Sequence, residues 1–164
     1  MTPVVRRLAA GEVDLARDIR LRALRDAPMA FGSTYEREVA IERAEWERRV
    51  AENAAGERSV AFIVEPRDGL AVGALDAEDP SVAHLYAMWV APEARGAGAA
   101  RALVEAVVEW AIQRGARLIE TSVAERNAAA SALYERAGFT DTGRREPLGH
   151  CGGVVAVLER ALDR

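Results

Sequence analysis

Apolar positions along this chain recur with two periods, and the switches between them mark out its elements. Residues 3–9, PVVRRLA, read as a short strand. In GEVDLARDIRLRALRDAP, Leu15, Ile19 and Ala23 fall at i, i+4 spacing and Pro28 stands just past the end, which predicts a helix. A loop, MAFGSTYE, leads to a second and highly charged helix over 36–53, with Val39, Trp46 and Val50 as its apolar contacts. RSVAFIVEP and LAVGALDAE predict two strands joined by the hairpin signal RDG. SVAHLYAMWVAP is a long, strongly apolar strand suited to a central place. From about Gly98 to Arg114, Leu103, Val104, Val107, Val108 and Ala111 mark one face of a helix that Gly115 stops. RLIETSVA predicts a strand, NAAASALYERAG a short helix closed by Gly138, FTDTGRRE a strand, and GGVVAVLERAL a last strand. The order β-α-α-β-β-β-α-β-α-β-β predicts an α/β (α+β) fold, a mixed, mostly antiparallel sheet flanked by helices.

Composition narrows the function classes. A chain of 164 residues without repeats or linkers is expected to form a single domain over 1–164. No apolar run approaches the roughly 18–20 residues that span a bilayer, and the N-terminal stretch turns polar too early for a signal peptide. The expectation is a cytoplasmic protein with no membrane partner. A net charge of -4 leaves no electrostatic footprint for nucleic acid. All 22 basic residues are arginines, interspersed with acids as on solvated helix faces. The lone cysteine, Cys151, excludes an internal disulfide and fits a reducing compartment as a free structural thiol. His84 and His150 have no Cys, His, Asp or Glu partners at ligand spacing, so no metal site is expected.

The most informative stretch is VAPEARGAGAARALVEAVVEWA, residues 90–111, where small residues separate an apolar strand from an amphipathic helix. A phosphate-binding loop of the G-x-x-x-x-G-K-[ST] type is excluded because the chain has no lysine. A dinucleotide fingerprint would use Gly96 and Gly98, but Arg101 stands where its third glycine belongs. Glu120 would be its acidic ribose partner, yet about ninety residues precede a motif that normally opens a domain. A third reading is an anion cradle at a helix N-terminus, with Arg95 and Arg101 adding charge at either end. A plain structural turn fits the segment equally well.

A second motif, thirty residues on, bears on that choice. Arg95-x-x-Gly98-x-Ala100, directly after MWVAP, resembles the acetyl-CoA-binding motif of GCN5-related N-acetyltransferases, (Gln/Arg)-x-x-Gly-x-(Gly/Ala). NAAASALYERAGF, residues 127–139, is similar to that family's second signature, Asn-x-x-Ala-x-x-x-Tyr before a Gly-Phe turn. The resemblance covers residues 58–162 well and 3–53 loosely. It implies acetyl-CoA as the acetyl donor and a sheet that splays after its fourth strand to admit it. It also implies that the backbone of Met88, Trp89 and Val90 pairs with the pantetheine arm. The amides of Gly96, Ala97, Gly98, Ala99, Ala100 and Arg101 would hold the pyrophosphate, and Asn127 would bond the pantetheine. Tyr134 would stand by the thioester sulfur. Asn127 and Tyr134, seven residues apart on one helix, share a face about 10 Å apart along the axis. Each also has a structural reading, Asn127 as a helix cap and Tyr134 as a core aromatic beside Leu133.

Acetyl transfer to an amine implies three chemical needs. An alkyl ammonium with a pKa near ~10.4 is almost fully protonated at neutral pH, so a base is useful. Backbone N–H groups near Val90 could polarise the thioester carbonyl, and a neutral Tyr134 could protonate the departing sulfur. His84 occupies the strand position where some members of the family carry a glutamate base. Alternation places it on one face with Tyr86 and Met88, apart from any bulge. Ser122 stands where other members carry a glutamate, and Glu120, on the same face, is the fallback. A partly buried structural histidine and a water chain are the alternatives. The acceptor is expected between segments 25–38 and 143–153. There Phe31 and Tyr35 could form an apolar wall, Glu36 and Glu38 could attract an amine, and Arg144 and Arg145 could take a carboxylate. The expected activity is transfer from acetyl-CoA to a primary amine of a small molecule, peptide or protein. The alternative is a non-catalytic acyl-CoA sensor. Many members of the family pair, so a homodimer is compatible.

Overall fold

The computed structural model describes residues 2–150 and 152–163. Cys151 therefore lies outside the described residues. Seven strands form one sheet in the order β1-β2-β3-β4-β5-β7-β6. They are β1 (Val5–Arg7), β2 (Ser59–Val64), β3 (Gly69–Leu75), β4 (Val82–Val90), β5 (Leu118–Ala124), β6 (Thr140–Leu148) and β7 (Gly153–Ala161). Every pairing is antiparallel except β4 with β5. The element order follows the sequence pattern, and β7 slots between β5 and β6.

Helices cover both faces. On one face lies α4 (Ala99–Gln113), whose Leu103, Val104, Val107, Val108 and Ala111 are all buried, as the 3.6-residue spacing requires. Each fully buried aliphatic contributes about 1.5–3 kcal/mol relative to exposure. The same core takes in Tyr134 and Ala137 of the short α5 (Ala128–Arg136). Across the sheet, α1 (Val13–Asp26) and α3 (Arg43–Ala55) pack Ile19, Leu24, Trp46 and Val50 against Ile63, Leu70, Val72 and Trp89.

The predicted helix over 36–53 is broken. A five-residue α2 (Tyr35–Val39), capped by the Thr34 side chain on the Arg37 amide, ends at Ala40, and extended backbone at Glu42 starts α3. The break lets α2 turn Glu38 inward toward Arg20 of α1 while Trp46 and Val50 stay in the core. Val39 is consequently exposed, contrary to its expected place beside them.

One irregularity in β4 shapes the site. Tyr86 pairs with Val72 and Trp89 with Leu70, so Ala87 and Met88 together oppose Ala71 alone. Ala87 takes φ 56°, a left-handed value that a bulge imposes on an alanine. Side-chain alternation shifts by one there. Met88 falls on the α4 face and leaves the face of Tyr86 that unbroken alternation would give it.

Candidate active site

The bulge also separates two strands. β4 and β5 pair in parallel from Val82↔Leu118 to Leu85↔Thr121 and no further, although both continue. β5 stays with β7 through Ala124↔Val155, while β4 stays with β3 through Val90↔Gly69. The sheet opens into a V whose gap encloses about 420 Å³. Where the strands part, the Thr121 hydroxyl donates to the Leu85 carbonyl at 3.0 Å. Beyond that point β5 no longer occupies the β4 edge.

At the mouth of the gap the chain leaves β4 through a short 3₁₀ turn, Pro92–Ala94, and enters α4 through Gly96 and Gly98, at φ 90° and 88°. No side chain caps α4. Among the described residues, none of the N–H groups from Gly96 to Arg101 has an acceptor, and the loop around Gly96 and Gly98 is exposed. A Cβ at either glycine would meet nothing within 4 Å. The glycines therefore serve the backbone conformation, which L-residues resist, and leave a ring of free donors at the positive end of a fifteen-residue helix.

Both flanking cations are already engaged. Arg95 meets Asp26 at 2.7 Å and donates through Nε to the Val90 carbonyl at 3.0 Å. Arg101 contacts Glu105 at 3.2 Å and donates to the Arg136 carbonyl at 3.1 Å. They brace the loop against α1, β4 and α5. The free amides, more than the two guanidinium groups, are what this loop offers an anion.

From α5, Asn127 and Tyr134 both line the gap. Asn127 is the helix cap, accepting from the Ala130 amide at 3.0 Å. Tyr134 is a core residue, 4% exposed, edge-on to Phe139 at 5.5 Å. Burial pushes its phenol up to about 12, with the nearby Thr121 hydroxyl pulling the other way. The phenol is therefore neutral near pH 7 and can donate a proton.

His84 also borders the gap, flanked by two carboxylates. Its Nε2 lies 2.9 Å from Asp76 Oδ1, and its Nδ1 lies 3.9 Å from Glu120 Oε2. Asp76 is held below its usual carboxylate range by His84 first and then by the Asp79 and Glu78 amides. An ionised Asp76 only accepts, so it places the imidazole proton on Nε2 and leaves the lone pair on Nδ1. Glu120 is tied to Arg144 at 2.8 Å.

The sequence of the acetyltransferase (GNAT) family matches residues 21–139. The chain belongs to that family. Over 64 residues it is 36% identical to an uncharacterised N-acetyltransferase of Methanocaldococcus jannaschii, across 39% of this chain and 28% of that protein. Over 66 residues it is 38% identical to the mycothiol acetyltransferase of Beutenbergia cavernae, across 40% of this chain and 22% of that protein. The match thus spans about a quarter of each curated relative. In fold it is similar to a GNAT acetyltransferase of Streptococcus pneumoniae, with TM-score 0.84 and 16% identity over 98% of this chain and 99% of that one. It is also similar to yncA of Salmonella typhimurium, solved with its cofactor acetyl-CoA, with TM-score 0.80 and 15% identity over 100% and 96% of the two chains.

Around this GNAT frame, the residues expected to meet an acceptor divide. Phe31 lines the gap, with Arg20 stacked 4.9 Å over its ring, and its carbonyl contacts His150 Nε2 at 2.5 Å. Tyr35 lies elsewhere, under Arg25, and Glu36 is outside the gap. Glu38 is spent on Arg20, at 2.9 and 3.0 Å. Burial raises the Glu38 pKa, but the Arg20 hydrogen bonds and charge outweigh it and leave the carboxylate ionised. Arg145 is engaged by Asp141 and Glu125. Arg20, Asp26, Asp76 and Thr121 were not legible as site residues, because each partner lies on another element.

Proposed function

We propose that this protein transfers an acetyl group from acetyl-CoA to the nitrogen of a primary amine. The observation that carries the reading is the juxtaposition of free amides at Gly96–Arg101 with a splayed β4 edge and a buried neutral Tyr134. Those features fit the donor. The amides and the α4 N-terminus suit a pyrophosphate, and the β4 edge near Met88 suits the amide-bearing pantetheine arm. Asn127 and Tyr134, on one α5 face, reach two points of an extended ligand.

Acetyl-CoA supplies an acetyl group activated as a thioester. His84 Nδ1, directly or through water, takes the proton that the acceptor ammonium must lose, a contribution of about 10²–10⁴-fold for a well-placed base. N–H groups of the bulged β4 segment supply hydrogen bonds to the carbonyl oxygen as it gains charge. The free amine forms the C–N bond, Tyr134 delivers its phenolic proton to the sulfur as the C–S bond breaks, and the second proton shed by the nitrogen restores the phenol through water. All of these groups lie on one chain, so the site needs no second copy. In the same reading the protein works in the cytoplasm.

The deciding experiment pairs a thermal-shift titration with thiol release over an amine panel. Acetyl-CoA at ~100 Kd is expected to stabilise the fold by about 2.7 kcal/mol, with NAD and ATP inert. Tyr134→Phe is expected to keep acetyl-CoA binding and lower kcat by ~10²-fold or more. Binding with no acceptor-dependent release from a broad panel would turn the reading toward an acyl-CoA sensor. No binding to folded protein would remove it.

A further inference from the structure

On the far side of the β4 bulge lies a second cavity, of about 690 Å³, between α3 and the sheet. Arg20, Tyr86 and Ala87 line both it and the gap, so the two spaces meet at the bulge. Two buried donors on its wall lack partners among the described residues: Arg20 Nη1 and Trp46 Nε1. Trp46 is 5% exposed, and Arg20 spends Nε and Nη2 on Glu38, so only Nη1 remains to it. A buried donor left unpaired is costly, and both orphans seek lone pairs. The wall carries four arginines against three glutamates, with Arg49 stacked 5.6 Å over the Trp46 ring. At the other side of the junction, His84 stands between Asp76 and Glu120. Arg48 and Arg49 are themselves paired with Glu45 and Glu52, so the second cavity offers its two unspent donors and the gap side offers the carboxylates around His84.

A molecule that satisfies both sides of the junction carries an ammonium and a carboxylate. Resting on the transferase reading, we infer that the acceptor is an amino carboxylate. Its amine lies beside Ala87, and its carboxylate takes hydrogen bonds from Arg20 Nη1 and Trp46 Nε1. The charge-assisted bond to Arg20 provides strength, and the Trp46 indole fixes the angle. A polyamine would place a second cation among the arginines.

The test uses matched acceptors: phenylalanine, leucine and arginine against their decarboxylated counterparts 2-phenylethylamine, 3-methylbutylamine and agmatine. Binding is measured calorimetrically on the full chain saturated with CoA, alongside thiol release from acetyl-CoA. At least one amino carboxylate is expected to bind ten or more times more tightly than its amine. Trp46→Phe, which keeps an aromatic ring in the core, is expected to cut that preference about tenfold. Arg20→Lys keeps a cation for Glu38 but loses the guanidinium fork, and is expected to reduce it further. Equal binding of the pair, binding of neither, or an unchanged preference in both variants would overturn the inference. CoA binding with transfer to simple amines would leave the transferase reading standing while this one fell. Loss of CoA binding itself would strike the transferase reading.

Discussion

The Asp26 carboxylate meets the Arg95 guanidinium at 2.7 Å, tying the last residue of α1 to the start of the glycine loop. The same oxygen accepts the Trp89 indole N–H at 2.9 Å, and Arg95 also holds the Val90 carbonyl. One carboxylate thus joins α1, the splayed strand and the glycine loop. The cost of breaking this junction is uneven. Arg95 is half exposed, so its ion pair contributes little by itself. Trp89 is buried, and an indole left without an acceptor costs about 1–3 kcal/mol. Asp26→Ala is therefore expected to lower stability by about that amount and to raise KM for acetyl-CoA several-fold while kcat falls less. Asp26→Asn, which still accepts through its amide oxygen, is expected to recover most of the stability. Denaturant unfolding and steady-state kinetics measure both. A fall in kcat with KM unchanged would contradict a loop-positioning role.

The pairing of His84 with Asp76 makes a separate claim, about which nitrogen carries the lone pair. With Nε2–H committed to Asp76, Nδ1 is the basic atom. His84→Ala is expected to remove the acidic limb of the kcat/KM profile. Asp76→Asn can present its NH₂ to Nε2 and so favour the opposite tautomer. It is expected to lower kcat/KM at least ~10-fold with His84 still present, consistent with the usual reach of a positioned base. Since Asp76 does not line the gap, its effect should appear without a change in acetyl-CoA affinity. If the pH profile survives in His84→Ala, the base is Glu120 or solvent.

Gly69 is needed for close packing. It sits at the start of β3 between Val64 and Val90, and a Cβ there would lie 2.9 Å from the Trp89 carbonyl and 2.9 Å from Val64 Cγ2. Backbone cannot yield as a side-chain tip can. Gly69→Ala is expected to destabilise by about 1–3 kcal/mol, the usual cost of overpacking, and to disturb the last residues of β4, beyond the point where it leaves β5. Gly149→Ala, with nothing within 4 Å and no positive φ, is the control and should stay within about 0.5 kcal/mol. Equal effects at the two glycines would mean that the contact at Gly69 relaxes freely.

What could be read from the chain was whatever is encoded locally. Asn127 and Tyr134 share a short helix, and their spacing alone places them on one face. Gly96 and Gly98 announce left-handed backbone by their identity, and the apolar face of α4 follows from period. The bulge does not announce itself, because Ala87 is an ordinary residue forced to φ 56° by the strands around it. Unbroken alternation would put Met88 beside Tyr86, and the bulge moves it to the α4 face. The break before α3 was hidden too, since Ala40, Ile41 and Glu42 contain neither glycine nor proline. Arg20, Asp26 and Asp76 take their roles from partners 18, 69 and 8 positions away. Charge in the sequence gave no clue to which arginines would be paired and which would keep a donor free.

One share of the acid dependence of stability belongs to Glu12. Glu12 accepts both terminal nitrogens of Arg6, at 2.8 and 2.9 Å, and the Ala9 amide at 2.8 Å. Arg6 first, and then the amide, lower its pKa from 4.5 to about 2. In the unfolded chain Glu12 takes up a proton as pH falls through about 4.5, whereas in the fold it stays ionised until about 2. The unfolded state therefore binds more protons across that window, so stability rises with pH there and is lost on acidification. Above the window the contribution is fully present. Glu12→Gln is expected to be less stable than the parent at pH 7, with the difference shrinking as pH falls from about 4.5 toward 2. Unfolding free energies at several pH values measure it. A difference that stayed constant down to pH 2 would assign the loss at Glu12 to packing or to a neutral hydrogen bond, with no part for its charge.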